Sequence, residues 1–221
     1  MFKKVLIASA LLASVIGANA QSTGFGVIGT IAPATCTVSL AGGGTADYGA
    51  MTTAAVQARL VQSGAYNLGV KGIGIAVNCT APVVLELAFV DNKAAQRLNL
   101  SDTFDAIRYG LGNGSSSSVF GHYDLSLDQV LVDGVAPAVW LSAPTGTTTW
   151  ATTVAGGAPA FYAQPGNAVG FGKAAGATVP ASLTAITGSL LVVARVSKPL
   201  VDASTAAITL NGSGTISLQY L

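Results

Sequence analysis

Charge is scarce in this sequence: 10 Lys and Arg and 9 Asp and Glu among 221 residues, against 51% hydrophobic residues. That balance excludes the basic surface needed to hold nucleic acid or an anionic membrane face, while the apolar content argues against disorder. Histidine occurs once, at His122, and cysteine twice, at Cys36 and Cys79, so a compact Cys/His metal site is excluded. There is no long amphipathic helical stripe and no repeat period that would build a solenoid. With 27 glycines and many Ala, Ser and Thr, the surface must be covered by hydroxyls, small side chains and backbone.

What is present begins with Lys3 and Lys4, an apolar run from Val5 to Ile16, and Ala18-Asn19-Ala20. This reads as a secretory signal peptide over residues 1–20, too short and too weakly flanked for a membrane span, with the mature chain starting at Gln21. Without Lys3 and Lys4, eight bases face nine acids, and the remaining length suits one domain. Export to an oxidising compartment favours a bond between Cys36 and Cys79, with two buried free thiols as the alternative.

Alternation of period two organises the mature chain. Ile73, Ile75, Val77 and Cys79 share one parity, as do Val83, Leu85, Leu87 and Phe89 after Pro82, with Glu86 on the opposite face. These read as two successive strands of an all-β fold, sheet packed on sheet. Cys79 then points inward, where it could meet the strand of Cys36, Val38 and Leu40. Leu98–Tyr109 reads as a short helix or irregular turn, Val119–Leu127 and Val130–Val135 as further strands, and Leu190, Val192, Ala194 and Val196 as one strand face opposite Arg195. Asn113 to Ser118, Pro144-Thr145-Gly146, Gly156-Gly157 and Gln164-Pro165-Gly166 read as connections. Ile216, Leu218 and Tyr220 alternate with polar residues in a terminal strand.

No motif specifies catalysis. Gly110-Leu111-Gly112-Asn113-Gly114 lacks the full dinucleotide fingerprint and reads as a turn. A serine triad would require His122 as base, with Asp124 nearby; Asp102, Asp105 and Glu86 are the remaining acid candidates, and Asp102 with Asp105 reads as a solvated turn. Trp140, Trp150, Phe161 and Tyr162 fit core anchors at least as well as a sugar-binding surface. The expectation is a non-enzyme with no cofactor and no metal.

Five segments carry a resemblance: FGVIGTIAPATCTVSLAGGGTADYG (Phe25 to Gly49), VNCTAPVVLELAFVDNKA (Val77 to Ala94), YGLGNG (Tyr109 to Gly114), FGHYDLSL (Phe120 to Leu127) and LNGSGTISLQYL (Leu210 to Leu221). Taken together they resemble fimbrial-type subunits of the chaperone-usher class, especially the DUF1120 or β-fimbriae group. The resemblance implies an incomplete immunoglobulin-like pilin sandwich over 32–221, completed by a donated strand. It implies a Cys36–Cys79 disulfide and a terminal-strand tyrosine at Tyr220, beside Ile216 and Leu218. It also implies a donor strand within 21–31, where Phe25, Val27, Gly29 and Ile31 share a parity. The implied partners are a periplasmic assembly chaperone, an outer-membrane usher and neighbouring subunits, with passage through the periplasm to a fimbrium on the cell surface and no stable membrane insertion of the mature chain. The alternative is a surface adhesin whose central loops bind a glycan or host protein.

Overall fold

β-Branched and aromatic residues in alternation favour pleated strands, and the glycines between them make tight turns. A computed structural model describes residues 33–101, 104–112, 119–155 and 161–221, of which Ala34–Leu221 pack as one unit. The expected leader at 1–20, the expected donor strand at 21–31 with Phe25, Val27, Gly29 and Ile31, Asp102, the expected connection at Asn113 to Ser118 and Gly156-Gly157 lie outside the described residues. The chain runs through β1 (Cys36–Leu40), α1 (Thr53–Gln57), β2 (Val61–Gln62), β3 (Ala65–Asp91), β4 (Arg108–Gly110), β5 (Gly121–Val132) and β6 (Val139–Pro144). It continues through β7 (Ala151–Ala155), β8 (Phe161–Tyr162), β9 (Asn167–Gly172), β10 (Ser182–Ser197), α2 (Lys198–Ala203) and β11 (Gly214–Tyr220). The fold is all-β, the α-helices among the described residues being five and six residues long.

β3 is the spine. It spans 27 residues where two strands interrupted at Pro82 were expected. The continuity has a physical reason: β10 pairs with β3 at Leu183↔Val83 and again at Ala185↔Asn78, so residues 79–82 fall in a register irregularity. Pro82, which has no N–H to donate, sits where the ladder asks for none. Before this point β3 pairs with β2, β10 and β1; beyond it, with two last rungs of β10 and then with β11 and β9. The strands thus make one curled sheet, with the path β4-β5-β10-β3-β9-β6-β7 and with β1, β2 and β11 attached to β3 and β8 to β5.

The two stretches of β3 feed one core. Ile73, Ile75 and Val77 from the first and Leu85, Leu87 and Phe89 from the second join Leu125, Leu127, Leu190, Val192 and Phe171 in a single buried cluster. The two expected strands of the centre merge into the continuous β5. The Leu98–Tyr109 stretch is irregular, with a single turn of 3-10 helix at Asp105–Ile107 before β4. Trp140 stacks on Phe161 at 5.3 Å and meets Phe171 edge-on at 5.2 Å, which places these aromatics among the core anchors.

Candidate functional site

β1 and β11 each pair with β3 along one side only, and among the described residues no strand lies beside their second sides. Which backbone groups this leaves outward follows from the ladders. Thr80 N–H donates to Thr35 C=O, so the pairs that exchange hydrogen bonds include Thr37↔Asn78 and Ser39↔Ala76, and Cys36, Val38 and Leu40 turn their N–H and C=O away from β3. Asn92 N–H donates to Ser213 C=O and Leu221 N–H to Val84 C=O, so Gly214, Ile216, Leu218 and Tyr220 likewise aim their backbone outward. Open edges of this kind template the addition of another strand.

The two edges meet near one end and separate toward the other. Tyr220 is half exposed, at 52%, rather than packed inward as its parity with Ile216 and Leu218 suggests; its hydroxyl accepts from Cys36 N–H at 2.8 Å. Ile216 and Leu218 are half-buried against the core. Cys36 and Cys79 form a disulfide between directly opposed residues with Cα atoms 4.0 Å apart, a close pair that exchanges no ladder hydrogen bonds. Away from this junction a groove of about 390 Å³ opens between Leu40 with the Gly44–Tyr48 turn on one side and Leu210–Ile216 on the other. Its lining includes Ile73, Phe89, Leu125, Leu190 and Val192, all core residues. A second hollow of about 600 Å³ shares Thr45, Ala46, Tyr48 and Leu210 with it and extends toward Leu68, Val196 and Val201.

Three tyrosines shape this groove. Tyr109 and Tyr123 stack with centroids 5.0 Å apart, and Tyr109 donates to Ala163 C=O at 2.6 Å. Burial, with smaller contributions from the Asp91 charge and, for Tyr109, from the adjacent Tyr123, pushes both phenols far above their ordinary range, so they remain neutral hydrogen-bonding groups. Tyr48 reaches across to a bulge where Leu68 and Gly69 together oppose Ala194. There its hydroxyl accepts from Ala194 N–H at 3.0 Å and donates to Val192 C=O at 2.8 Å, serving backbone groups that the bulge has taken out of the ladder. The glycine run before Tyr48 and the shared parity of Tyr109 with Leu111 were the available signals in sequence, but neither identifies a groove without the strand pairing.

The residues weighed for catalysis are dispersed. Asp105 is ion-paired with Arg108, and Asp124 with Arg195. His122 is fully buried on the same face of β5 as Asp124. Glu86 lies on the opposite face from Leu85 and Leu87, yet it too is fully buried. Burial raises its pKa, an effect opposed in part by the Gly146 N–H. Gly110 and Gly112 serve close packing instead: a Cβ would lie 1.9 Å from Lys93 O at the first and 2.8 Å from Asn211 O at the second. Among the described residues no group of three His, Cys, Asp or Glu side chains could hold a metal ion, and no helix is long and apolar enough to cross a membrane.

Residues 25–121 match the family model described as a protein of unknown function, DUF1120. The match takes in both cysteines, all of β3 and β4 and the first residue of β5. The chain is also similar to the protein GltF of Escherichia coli (strain K12), at 26% identity over 255 aligned positions that include 100% of this chain and 99% of that protein. No solved structure matches.

Proposed function

We propose that this chain is a structural subunit of a chaperone-usher fimbria that polymerises by donor-strand exchange. The observation that carries the reading is the apolar groove between the outward edges of β1 and β11. An extended segment laid between them would find backbone partners on both sides and apolar contacts beneath, which is how strand addition combines affinity with specificity. On this reading β1 and β11 flank the gap of an incomplete immunoglobulin-like pilin fold. An assembly chaperone would fill it in the periplasm, and a neighbouring subunit would fill it after passage through the outer-membrane usher.

The occupant is supplied by the same sequence. Phe25, Val27 and Ile31 offer three apolar anchors on one face, and Gly29 offers a gap where a crowded floor can approach the backbone. Moving three large apolar side chains out of water is worth on the order of 5–8 kcal/mol before the entropy of ordering the segment is subtracted. Deleting Gln21–Ile31 behind the leader, with chaperone and usher co-expressed, separates the alternatives. Donation predicts a normal periplasmic chaperone complex with no SDS-resistant polymer, and Gly29→Leu should behave likewise. If the segment is instead the first strand of its own domain, the deletion should remove complex and polymer together. Normal polymer from the deletion would overturn the proposal.

A further inference from the structure

The groove is closed at both ends, and the two closures are unequal. At the narrow end the Tyr220 hydroxyl accepts from Cys36 N–H, and the disulfide to Cys79 ties that junction to β3. At the wide end lies a strap, residues Thr45–Gly49, whose Ala46 and Tyr48 pack against the core while Thr45, Asp47 and Gly49 are exposed. Among the described residues no backbone group of the strap bonds to a strand. Its hydrogen bonds to the sheet all come from the Tyr48 hydroxyl, at Gly69, Val192 and Ala194, with the Lys71 ammonium 5.7 Å from the same ring. The backbone is left-handed at Gly43 before the strap and at Gly49 at its end, and a Cβ at either would meet nothing within 4 Å. A segment hinged on glycines in open space and held by one side chain is built to move.

We infer that the strap is a displaceable latch, and that the second hollow continues the strand-binding groove and receives one end of the Phe25–Ile31 segment of a neighbouring copy. The two hollows lie end to end on one floor: Leu190, Val192 and Ala194 of β10 line the first, and the next inward residue, Val196, lines the second. What they share is Thr45, Ala46 and Tyr48 of the strap and Leu210 of the wall. Length selects the occupant's position. Seven extended residues span about 20 Å, whereas the floor from Leu190 to Ala194 runs only about 13 Å; reaching Val196 restores the match. The segment cannot slide the other way, because the tied Tyr220–Cys36 junction blocks that end. The second hollow also suits it chemically. Buried Val56, Leu68, Val196 and Val201 line it, and Gln21–Ile31 carries no charge. Asp47, the one charged lining residue among those described, stands on the strap and leaves with it.

This inference rests on the groove receiving a strand, and the experiment separates the two. A fluorescein-labelled peptide of residues Gln21–Pro33 is titrated, with anisotropy as the readout, into the purified full chain carrying Gly29→Leu, so that the chain's own segment does not compete. A latch that must open lowers the apparent affinity in proportion to the fraction open, so loosening it tightens binding. Tyr48→Phe, added to that chain, removes the anchoring hydroxyl and should lower Kd about fivefold or more, although it destabilises the fold. Gly43→Ala strains the left-handed hinge, lines neither hollow, and should lower Kd about twofold or more. Should Tyr48→Phe fail to fold, Gly43→Ala alone decides. Unchanged or weaker binding in either folded variant would overturn the latch while leaving the groove as a strand site. No saturable binding by any of the three chains would overturn both.

Discussion

The Tyr48 hydroxyl substitutes for a strand at the β3–β10 bulge, accepting from Ala194 N–H and donating to Val192 C=O. Tyr48→Phe keeps the ring but leaves both backbone groups unserved beneath the groove rim. It should destabilise by about 1–3 kcal/mol in urea unfolding, and an unchanged midpoint would mean that water replaces the phenol. Glu86 presents the reverse case, a carboxyl whose burial outweighs the opposing Gly146 N–H. Its folded pKa is raised above the ordinary 4.5, so the folded state holds the proton more tightly than the unfolded chain. The resulting stability is fully present below that ordinary value and is lost as pH rises through the raised one. Glu86→Gln should therefore melt higher than the parent at neutral pH and converge with it near pH 4; a gap of equal size at both pH values would contradict this origin. The alternation around Glu86 showed in sequence which face it occupies. It could not show that this face is also covered, because period two reports relative orientation and not what packs on the second side.

At the scale of elements, β3 shows how far local pattern reaches. Both apolar stretches and the terminal Ile216–Leu218 strand were legible from alternation, whereas Pro82 looked like a boundary. It is not one, because the partner strand is out of register there, and nothing near Pro82 in sequence records the register of β10, a hundred residues away. Tyr220 illustrates the same limit. Its parity matches the half-buried Ile216 and Leu218, but at the end of β11 the core has run out and the ring instead hydrogen-bonds to Cys36. The disulfide is the covalent counterpart of this junction, tying β1 to the spine across a separation of 43 residues. Cys36→Ser with Cys79→Ser should cost about 2–4 kcal/mol through release of the unfolded chain, read as a lower denaturation midpoint and lower accumulation of folded chain. Retention of the parent midpoint would show that β1 is held by its ladder alone. The meeting of Arg108, Asp124 and Arg195 was not legible, since they are distant in sequence and only strand pairing brings them together.

For the whole molecule, the account depends on who supplies the strand between β1 and β11. A segment from the same chain would close the fold as a monomer, while a segment from a neighbour would make each subunit incomplete alone and joined in the polymer. The all-β class and the disulfide do not distinguish these outcomes; the origin of the strand does. Cross-linking in trans decides it. One population of subunits carries Val27→Cys and a second carries Ile216→Cys or Leu218→Cys, so that different registers are sampled, and the two are co-assembled with chaperone and usher under oxidising conditions. Non-reducing gels should show a reducible band at the mass of two subunits that appears only when both populations are present. Polymer that forms with no such cross-link in either pairing, together with an intramolecular cross-link in a single chain carrying both substitutions, would contradict donation and make the segment the chain's own strand.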